Sequence, residues 1–473
     1  MENNKYKKLL GNSAIFAIGN FGSKIINIIF VPVYTYALTT QEYGQIDLLT
    51  TTVSLFLPVL TLSLSEAVLR FVMDKNDNEQ AILSSSVIVI SIIAFCLLVI
   101  GGIFNTKKLW LYFIFLLILQ SYQVLFSQFV RGIGKVKLYA FNGILMTLIT
   151  VLSNIVLLIY FKLGIDGYIL SLIFANIASL IYLIVAGKLK RYLSFKLFDS
   201  KLVKTMLNYS APLIPNMIMW WLINSSTRYF ILFYIGTSAN GIYAVASKIP
   251  ALISTVTTIF SQAWQLSAIE EFDAKDKSTF YSNTFTFYYQ VLFICVALLF
   301  SVLKPTLRFL IQQSYFISWQ VAPILVLAVL YSSFSSFLGT NYIAAKKTKG
   351  VFTSSIIGAG ISLILNFLLI PVIGLIGAGV ASTISFFVMW LIRLYDTKKY
   401  IETKIDWFNF VGNNLVLILQ IILMFIFDSW ILLILEWMLV CSVLMLNRMN
   451  VKRLVLEINN YLKLFFKKIS IDK

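Results

Sequence analysis

Arg228 lies deep within an apolar stretch, residues 206–236, with Asn224 and Thr227 on the same helical face and Asn216 about two turns before Asn224. A guanidinium buried in a span costs about 2.5–3.5 kcal/mol on insertion scales, so it is expected to face a polar interior or a water-filled path. Residues 13–38 place Asn20, Lys24 and Asn27 at i, i+4 and i+7, on one narrow face. Lys248 heads a further polar face with Thr255 and Gln262, and Thr51, Ser54, Pro58, Thr61 and Ser65 form a stripe at helical spacing. Cations among amides and hydroxyls suit an anion such as a phosphate or pyrophosphate joined to a sugar. Acids are fewer: Glu66, in favourable i,i+4 order with Arg70, and Asp47 and Glu436 nearer span ends. Glu66 is the intramembrane candidate for ion coupling. Ser and Thr on such faces also serve as interhelical glue in any large bundle, and Lys248 and Arg70 can snorkel toward an interface.

No catalytic constellation accompanies these groups. The chain has no histidine, and Cys96, Cys295 and Cys441 fall inside apolar runs without metal-ligand spacing, so they read as small buried hydrophobes. No Gly-x-x-x-x-Gly-Lys-Ser/Thr loop is present to cradle a nucleotide. Neither metal nor cofactor is expected.

The elements that carry these residues follow from composition. Of 473 residues 59% are hydrophobic and 12% charged, and mean hydropathy is +0.87, which excludes a soluble globular protein. Apolar runs long enough to cross a hydrocarbon core of ~30 Å recur from end to end. About fourteen spans are expected, near 13–38, 44–70, 81–104, 109–130, 138–161, 167–187, 206–236, 240–268, 279–303, 319–343, 351–371, 375–395, 408–427 and 430–448; twelve suffice if the last pair is discounted. The first run is too long for a signal h-region, holds Lys24 and lacks a small-residue cleavage site.

The net charge of +18 belongs to short loops rather than to a nucleic-acid surface. Most of the 38 Lys and Arg fall on one side, and the other side's loops hold only Lys107, Lys108, Lys162, Lys304 and Arg308. This bias puts both termini in the cytoplasm and the basic loops against anionic lipid. The chain divides into an N-terminal lobe (1–187), a basic linker (188–205), a second lobe (206–395), two extra helices (396–448) and a cytoplasmic amphipathic tail (449–473).

An internal repeat relates the lobes. Ser13-Ala14 matches Ser210-Ala211, Asn27 matches Asn224, Thr40 matches Thr237, and Gly44 matches Gly241. Farther on, Asn154 matches Asn366, and Gly164 and Gly167 match Gly374 and Gly377. Both halves start on the same side, so they are parallel repeats, and transporters place substrate sites between such halves. The expected site is a cavity lined by the first, second, seventh and eighth spans.

Several short motifs carry a resemblance. They are Thr40-Gln-Glu-Tyr-Gly44, Tyr209-Ser-Ala-Pro-Leu-Ile-Pro215, Ser226-Thr-Arg-Tyr-Phe230, Asn240-Gly-Ile-Tyr-Ala-Val-Ala-Ser-Lys248, Arg131-Gly-Ile-Gly-Lys135 and Gly374-Leu-Ile-Gly-Ala-Gly379. With these the sequence resembles, over nearly its full length, the Wzx-type oligosaccharide flippases of the multidrug/oligosaccharidyl-lipid/polysaccharide exporter superfamily.

The resemblance implies an all-α polytopic fold of two pseudo-symmetric six-helix lobes around a central cavity. It implies alternating-access transfer of an undecaprenyl-pyrophosphate-linked oligosaccharide repeat unit to the outer leaflet of the cell membrane, alongside polymerase or export proteins. Lys24, Arg228 and Lys248 would then hold the pyrophosphate. The family often has an acid just before the seventh-span arginine; Thr227 stands there instead. A lipid II flippase, a MATE-type multidrug or cation antiporter and a membrane glycan polymerase or glycosyltransferase stay open as alternatives. The cation-rich spans disfavour the antiporter. The acid-free outer segment 304–318 disfavours an enzyme.

Overall fold

The computed structural model describes residues 22, 26, 28–74, 78–104, 108–345, 347, 349–428 and 430–448, with side chains for all of these but 102–104, 216 and 266. The chain is all-α, as hydropathy and charge patterning require. Among the described residues, nine helices are long and apolar enough to cross a membrane, or ten if one sharply bent pair counts as a span. Large apolar side chains such as Phe95, Leu152, Val185 and Phe367 stand on outward faces, where acyl chains would cover them. Cys96 and Cys441 stand exposed as well, which corrects the expectation that the cysteines are buried hydrophobes; Cys295 is half-buried.

Contacts gather the helices into two compact units, a partition made on packing and separate from the repeat-based lobes. Unit 1 comprises Met1–Thr255, Ile311–Tyr315 and Ala359–Ala378. Its described helices begin with α1 (Val31–Ala37), α2 (Thr40–Leu60), α3 (Leu64–Met73), α4 (Glu79–Phe104), α5 (Lys108–Gly132), α6 (Val136–Asn154) and α7 (Gly164–Gly187). There follow α8 (Ser200–Ser210), α9 (Ile214–Ser225), α10 (Thr227–Tyr234), α11 (Thr237–Ala246) and the start of α12 (Lys248–Glu270).

Two of the expected single spans are broken. The second, expected as one helix over 44–70, bends by 56° between α2 and α3. Leu62 and Ser63 both take left-handed backbone there (φ +52° and +51°), just past Pro58. Left-handed backbone costs a non-glycine residue about 1–2 kcal/mol, and neighbours secure it: Ser63 N–H donates to Pro58 O (2.9 Å) and Ser210 Oγ to Leu62 O (2.7 Å). The seventh span, expected over 206–236, is divided among α8, a 3-10 turn at Ala211–Leu213, α9 and α10. Pro212 and Pro215 lack the N–H that a continuous helix would need.

The start of α2 is set by a capping box. Thr39 Oγ1 accepts from Glu42 N–H (3.2 Å), and the Glu42 carboxylate accepts from Thr39 N–H (2.9 Å). One turn on, α2 meets α11 backbone to backbone. A Cβ on Gly44 would fall 2.0 Å from Thr237 O, and one on Gly241 would fall 2.0 Å from Thr40 O. The two segments in contact are the repeat-mates Thr40–Gly44 and Thr237–Gly241, so pseudo-symmetry is expressed directly as packing.

Unit 2 comprises Val256–Leu310, Phe316–Gly358 and Gly379–Lys473. It holds most of α12, α13 (Lys277–Leu310), α14 (Ala322–Ala344), part of α15 (Lys349–Asp396), α16 (Trp407–Ile426) and α17 (Trp430–Leu446). A straight helix of α15's 48 residues would run about 72 Å, over twice the bilayer core. It breaks instead at Ile373 and Gly374, where Gly374 has φ +60° and ψ −138°, between the two spans the sequence separates there. Aromatic rings fill the unit's core: Trp264 stacks on Phe337 (4.3 Å) and Trp390 on Phe410 (5.0 Å).

Lys304, assigned to a loop by sequence, is a buried residue of α13. Its ammonium donates to Met424 O (2.6 Å) and Phe427 O (3.0 Å), capping the end of α16. Glu436, expected near a span end, lies mid-helix in α17, 1% exposed, and accepts from Gln420 Nε2 (2.7 Å). The tail 449–473 lies outside the described residues.

The glycine crossing yields a prediction. Gly44→Ala or Gly241→Ala forces α2 and α11 apart and should destabilise the protein by about 1–3 kcal/mol. Gly143→Ala, whose Cβ meets nothing within 4 Å, should leave stability near native. Thermal unfolding of the detergent-purified protein measures both, and equal behaviour of the three variants would contradict the crossing.

Candidate functional site

The glycine crossing lets polar side chains of α2, α10 and α11 converge inside unit 1. Asp47 lies one turn beyond Gly44 on α2. Its Oδ2 accepts from Arg228 Nε at 2.6 Å and from Asn240 Nδ2 at 3.3 Å, and Asn240 Nδ2 also reaches Gly44 O at 3.3 Å. Arg228 donates from Nη1 to Asn224 O (3.3 Å) and stands over the Tyr243 ring (5.7 Å). Both members of the ion pair are 16% exposed at the side chain. Arg228 is thus a compensated cation, and the acid that compensates it is Asp47, which sequence had placed toward a span end and given no role. The signal was present in the repeat: Gly44 and Gly241 matched, and Asp47 and Asn240 flank them.

Lys248, at the first position of α12, lies within electrostatic reach of Asp47 and Arg228. Among the described residues it forms no ion pair, so the cluster of Asp47, Arg228 and Lys248 brings two basic side chains to one acid. Thr227 does not enter the cluster. Its hydroxyl accepts from Asn366 Nδ2 (3.1 Å), while Asn154, the repeat-mate of Asn366, donates to Tyr34 OH (3.3 Å). Each asparagine ties a later helix to the first helix of its own half, a structural use of the repeat.

Two turns farther along α2 a cavity of about 280 Å³ opens beside the break. Ser54, Pro58, Thr61, Ser65 and Glu66 line it with Met217, so most of the predicted stripe and its acid share one space. Trp221 Nε1 donates to Thr51 O (3.1 Å) and to Ser54 Oγ (3.2 Å), the latter a residue of the cavity wall. Tyr229 OH lies 2.6 Å from Thr52 Oγ1 on the same side.

Other expected residues lie apart. Arg70 pairs with Asp74 (3.4 Å) rather than with Glu66, and both side chains are more than half exposed. The break at residues 62–63 starts a new helix, which turns Glu66 to the cavity and leaves Arg70 at the far end. Thr255 is buried and bonds to Ala251 O (2.7 Å), and Gln262 is exposed. Asn224 is exposed, its amide donating to Trp220 O (2.8 Å). Asn20, Lys24 and Asn27 lie outside the described residues, as does the side chain of Asn216.

The helix arrangement defines the class: a polytopic α-helical membrane protein with the fold of the MOP superfamily. The lipid II flippase MurJ in an inward closed conformation superposes with a TM-score of 0.71 at 15% identity, over 93% of this chain and 100% of that one. An inward-facing MATE multidrug transporter gives a TM-score of 0.65 at 12% identity, over 80% and 94%. At these identities the likeness concerns fold.

The family follows from sequence. Residues 9–265, more than half of the chain, match the polysaccharide biosynthesis protein family, and the chain belongs to it. An uncharacterised membrane protein of Methanocaldococcus jannaschii is 24% identical over 300 residues, covering 60% of this chain and 58% of that one. A Haemophilus influenzae protein of the Lsg locus is 21% identical over 260 residues, covering 54% and 65%. The chain thus spans less than two thirds of the length of these curated relatives.

The Asp47–Arg228 pair gives a second prediction. Asp47→Asn strands a buried guanidinium and should cost about 3–5 kcal/mol, as breaking a buried pair does. Asp47→Asn with Arg228→Gln should be more stable than the two single losses summed, with a coupling of about 1–3 kcal/mol in a double-mutant cycle. Additive losses in thermal unfolding would show that the two do not interact.

Proposed function

We propose that the protein is a flippase carrying lipid-pyrophosphate-linked oligosaccharide repeat units from the cytoplasmic to the outer leaflet, for surface polysaccharide assembly. The observation that carries this reading is the gathering of two basic side chains, Arg228 and Lys248, around the single acid Asp47 within the spans of a polysaccharide biosynthesis family member. Asp47 and the Asn224 carbonyl take Nε and Nη1 of the guanidinium and leave Nη2 to an anion, and Lys248 adds an ammonium. Such groups offset the desolvation of phosphates that hydrocarbon would otherwise refuse. Hydroxyl oxygens of the α2 stripe can accept hydrogen bonds from sugar.

Direction follows from charge. An anion moving outward gains about 2.3 kcal/mol per charge for each 100 mV of inside-negative potential. Glu66, in the cavity beside the break, is the carboxylate placed to couple a counter-ion.

A lipid II flippase is the second reading, favoured by the near-complete superposition on such a protein. It shares the pyrophosphate chemistry and differs in the sugar-bearing group, so flipping assays with both lipid-linked substrates in vesicles discriminate between the two.

Replacing Arg228 or Lys248 with Ala should abolish rescue of a strain lacking its own oligosaccharide flippase while membrane expression persists. Full rescue by both variants would rule out the proposed anion site.

A further inference from the structure

Unit 2 contains a basic cavity remote in sequence from the Asp47 cluster. It lies where α14 leads into α15 and where α15 ends, and measures about 740 Å³. Lys347, Lys349 and Lys399 line it, all three exposed at the side chain. Its one lining acid, Asp396, is already engaged by Tyr342 OH (2.7 Å) and Lys399 Nζ (2.7 Å). The hydrogen bond to Asp396 raises the Lys399 pKa and keeps that ammonium charged.

Beneath the cavity sits a second source of positive charge. Arg393 is 2% exposed, and its guanidinium donates Nε to Ser354 Oγ (2.9 Å), Nη2 to Ser355 Oγ (3.1 Å) and Nη1 to Ser335 O (2.9 Å). These acceptors are neutral, and among the described residues Arg393 has no carboxylate partner. Ser354 also lines the cavity, so the hydroxyl that receives the guanidinium is part of the cavity wall. Hydrogen bonds satisfy the donors of a buried cation without neutralising it, and at low dielectric its field extends to the nearest polar space.

The remaining wall is apolar. Leu391 and Ile392 line it together with Tyr395, which is 81% exposed, as an aromatic at a membrane interface would be. A space with cations on one wall, apolar side chains on another and a buried guanidinium behind it is shaped for an anion attached to a hydrophobic body.

We propose that this cavity binds a phosphate monoester or diester, with Lys347, Lys349 and Lys399 contacting the anion and Arg393 supplying fixed charge from behind Ser354. An anionic phospholipid headgroup and free phosphate share this chemistry. The site belongs to unit 2 and stands whether or not the Asp47 cluster carries the transported substrate.

Thermal unfolding of the full-length protein in neutral detergent, titrated with dioctanoyl phosphatidic acid, dioctanoyl phosphatidylcholine and inorganic phosphate, tests it. Phosphatidic acid should raise Tm saturably and phosphatidylcholine should not. A matching plateau with inorganic phosphate assigns the site to the free ion; a shift that needs the glycerolipid assigns it to the headgroup. In Lys347→Gln/Lys399→Gln the half-saturating concentration should rise at least about tenfold, the scale of a lost charge-assisted hydrogen bond. Arg393→Met removes three hydrogen bonds along with the charge, so the exposed-lysine variant carries the test. No saturable shift with either anion, an equal response to phosphatidylcholine, or an unchanged midpoint in the lysine variant would overturn the assignment.

Discussion

Gly44 and Gly241 let two helix backbones touch, and unit 1's polar chemistry is arranged around that contact. A side chain at either position would collide with the opposite chain's carbonyl oxygen. With the backbones this close, Asn240 reaches the Gly44 carbonyl and Asp47 together, and Asp47 reaches Arg228. Close approach through small residues is the usual way for helices in a membrane to gain packing energy, because lipid supplies no hydrophobic drive between them. Here the same device brings an acid and a base from helices far apart in sequence into one hydrogen-bonded pair.

Buried charge is handled in several ways along the chain, and the differences separate structural cations from those open to a ligand. Lys304 is spent on the carbonyls that end α16, so it behaves as a helix cap. Arg228 is compensated by a carboxylate, and among the described residues its Nη2 is uncommitted. Arg393 has all its recorded acceptors neutral, which leaves its charge in place while satisfying its donors. Lys248 sits near an ion pair already balanced between its own members. Where compensation is incomplete, an anion has something to gain by binding.

The fold was legible because hydropathy in a bilayer has few solutions: each apolar run must satisfy its own backbone as a helix. The expected boundary between spans 351–371 and 375–395 coincides with the break of α15 at Ile373 and Gly374. The prolines at 212 and 215 already marked an interrupted entry to the seventh span; less legible was the interruption at residues 62–63. A run such as 44–70 is apolar whether or not its helix bends, and hydropathy does not register a left-handed residue held by a serine from another helix. The expected Glu66–Arg70 pair failed for the same reason, since i,i+4 geometry leaves open which way each side chain of a freshly started helix is turned.

Composition and pattern by themselves determined the class, the helical elements, the repeat and the presence of basic side chains inside apolar spans. Those features depend on the chain's local chemistry against a hydrocarbon solvent. Which acid meets which base was decided only by tertiary structure. Asp47 and Arg228 are separated by more than a third of the chain, and nothing in local sequence couples them. Their meeting depends on two glycines that bring carbonyl and Cα into contact, a relation that exists only once the helices have packed.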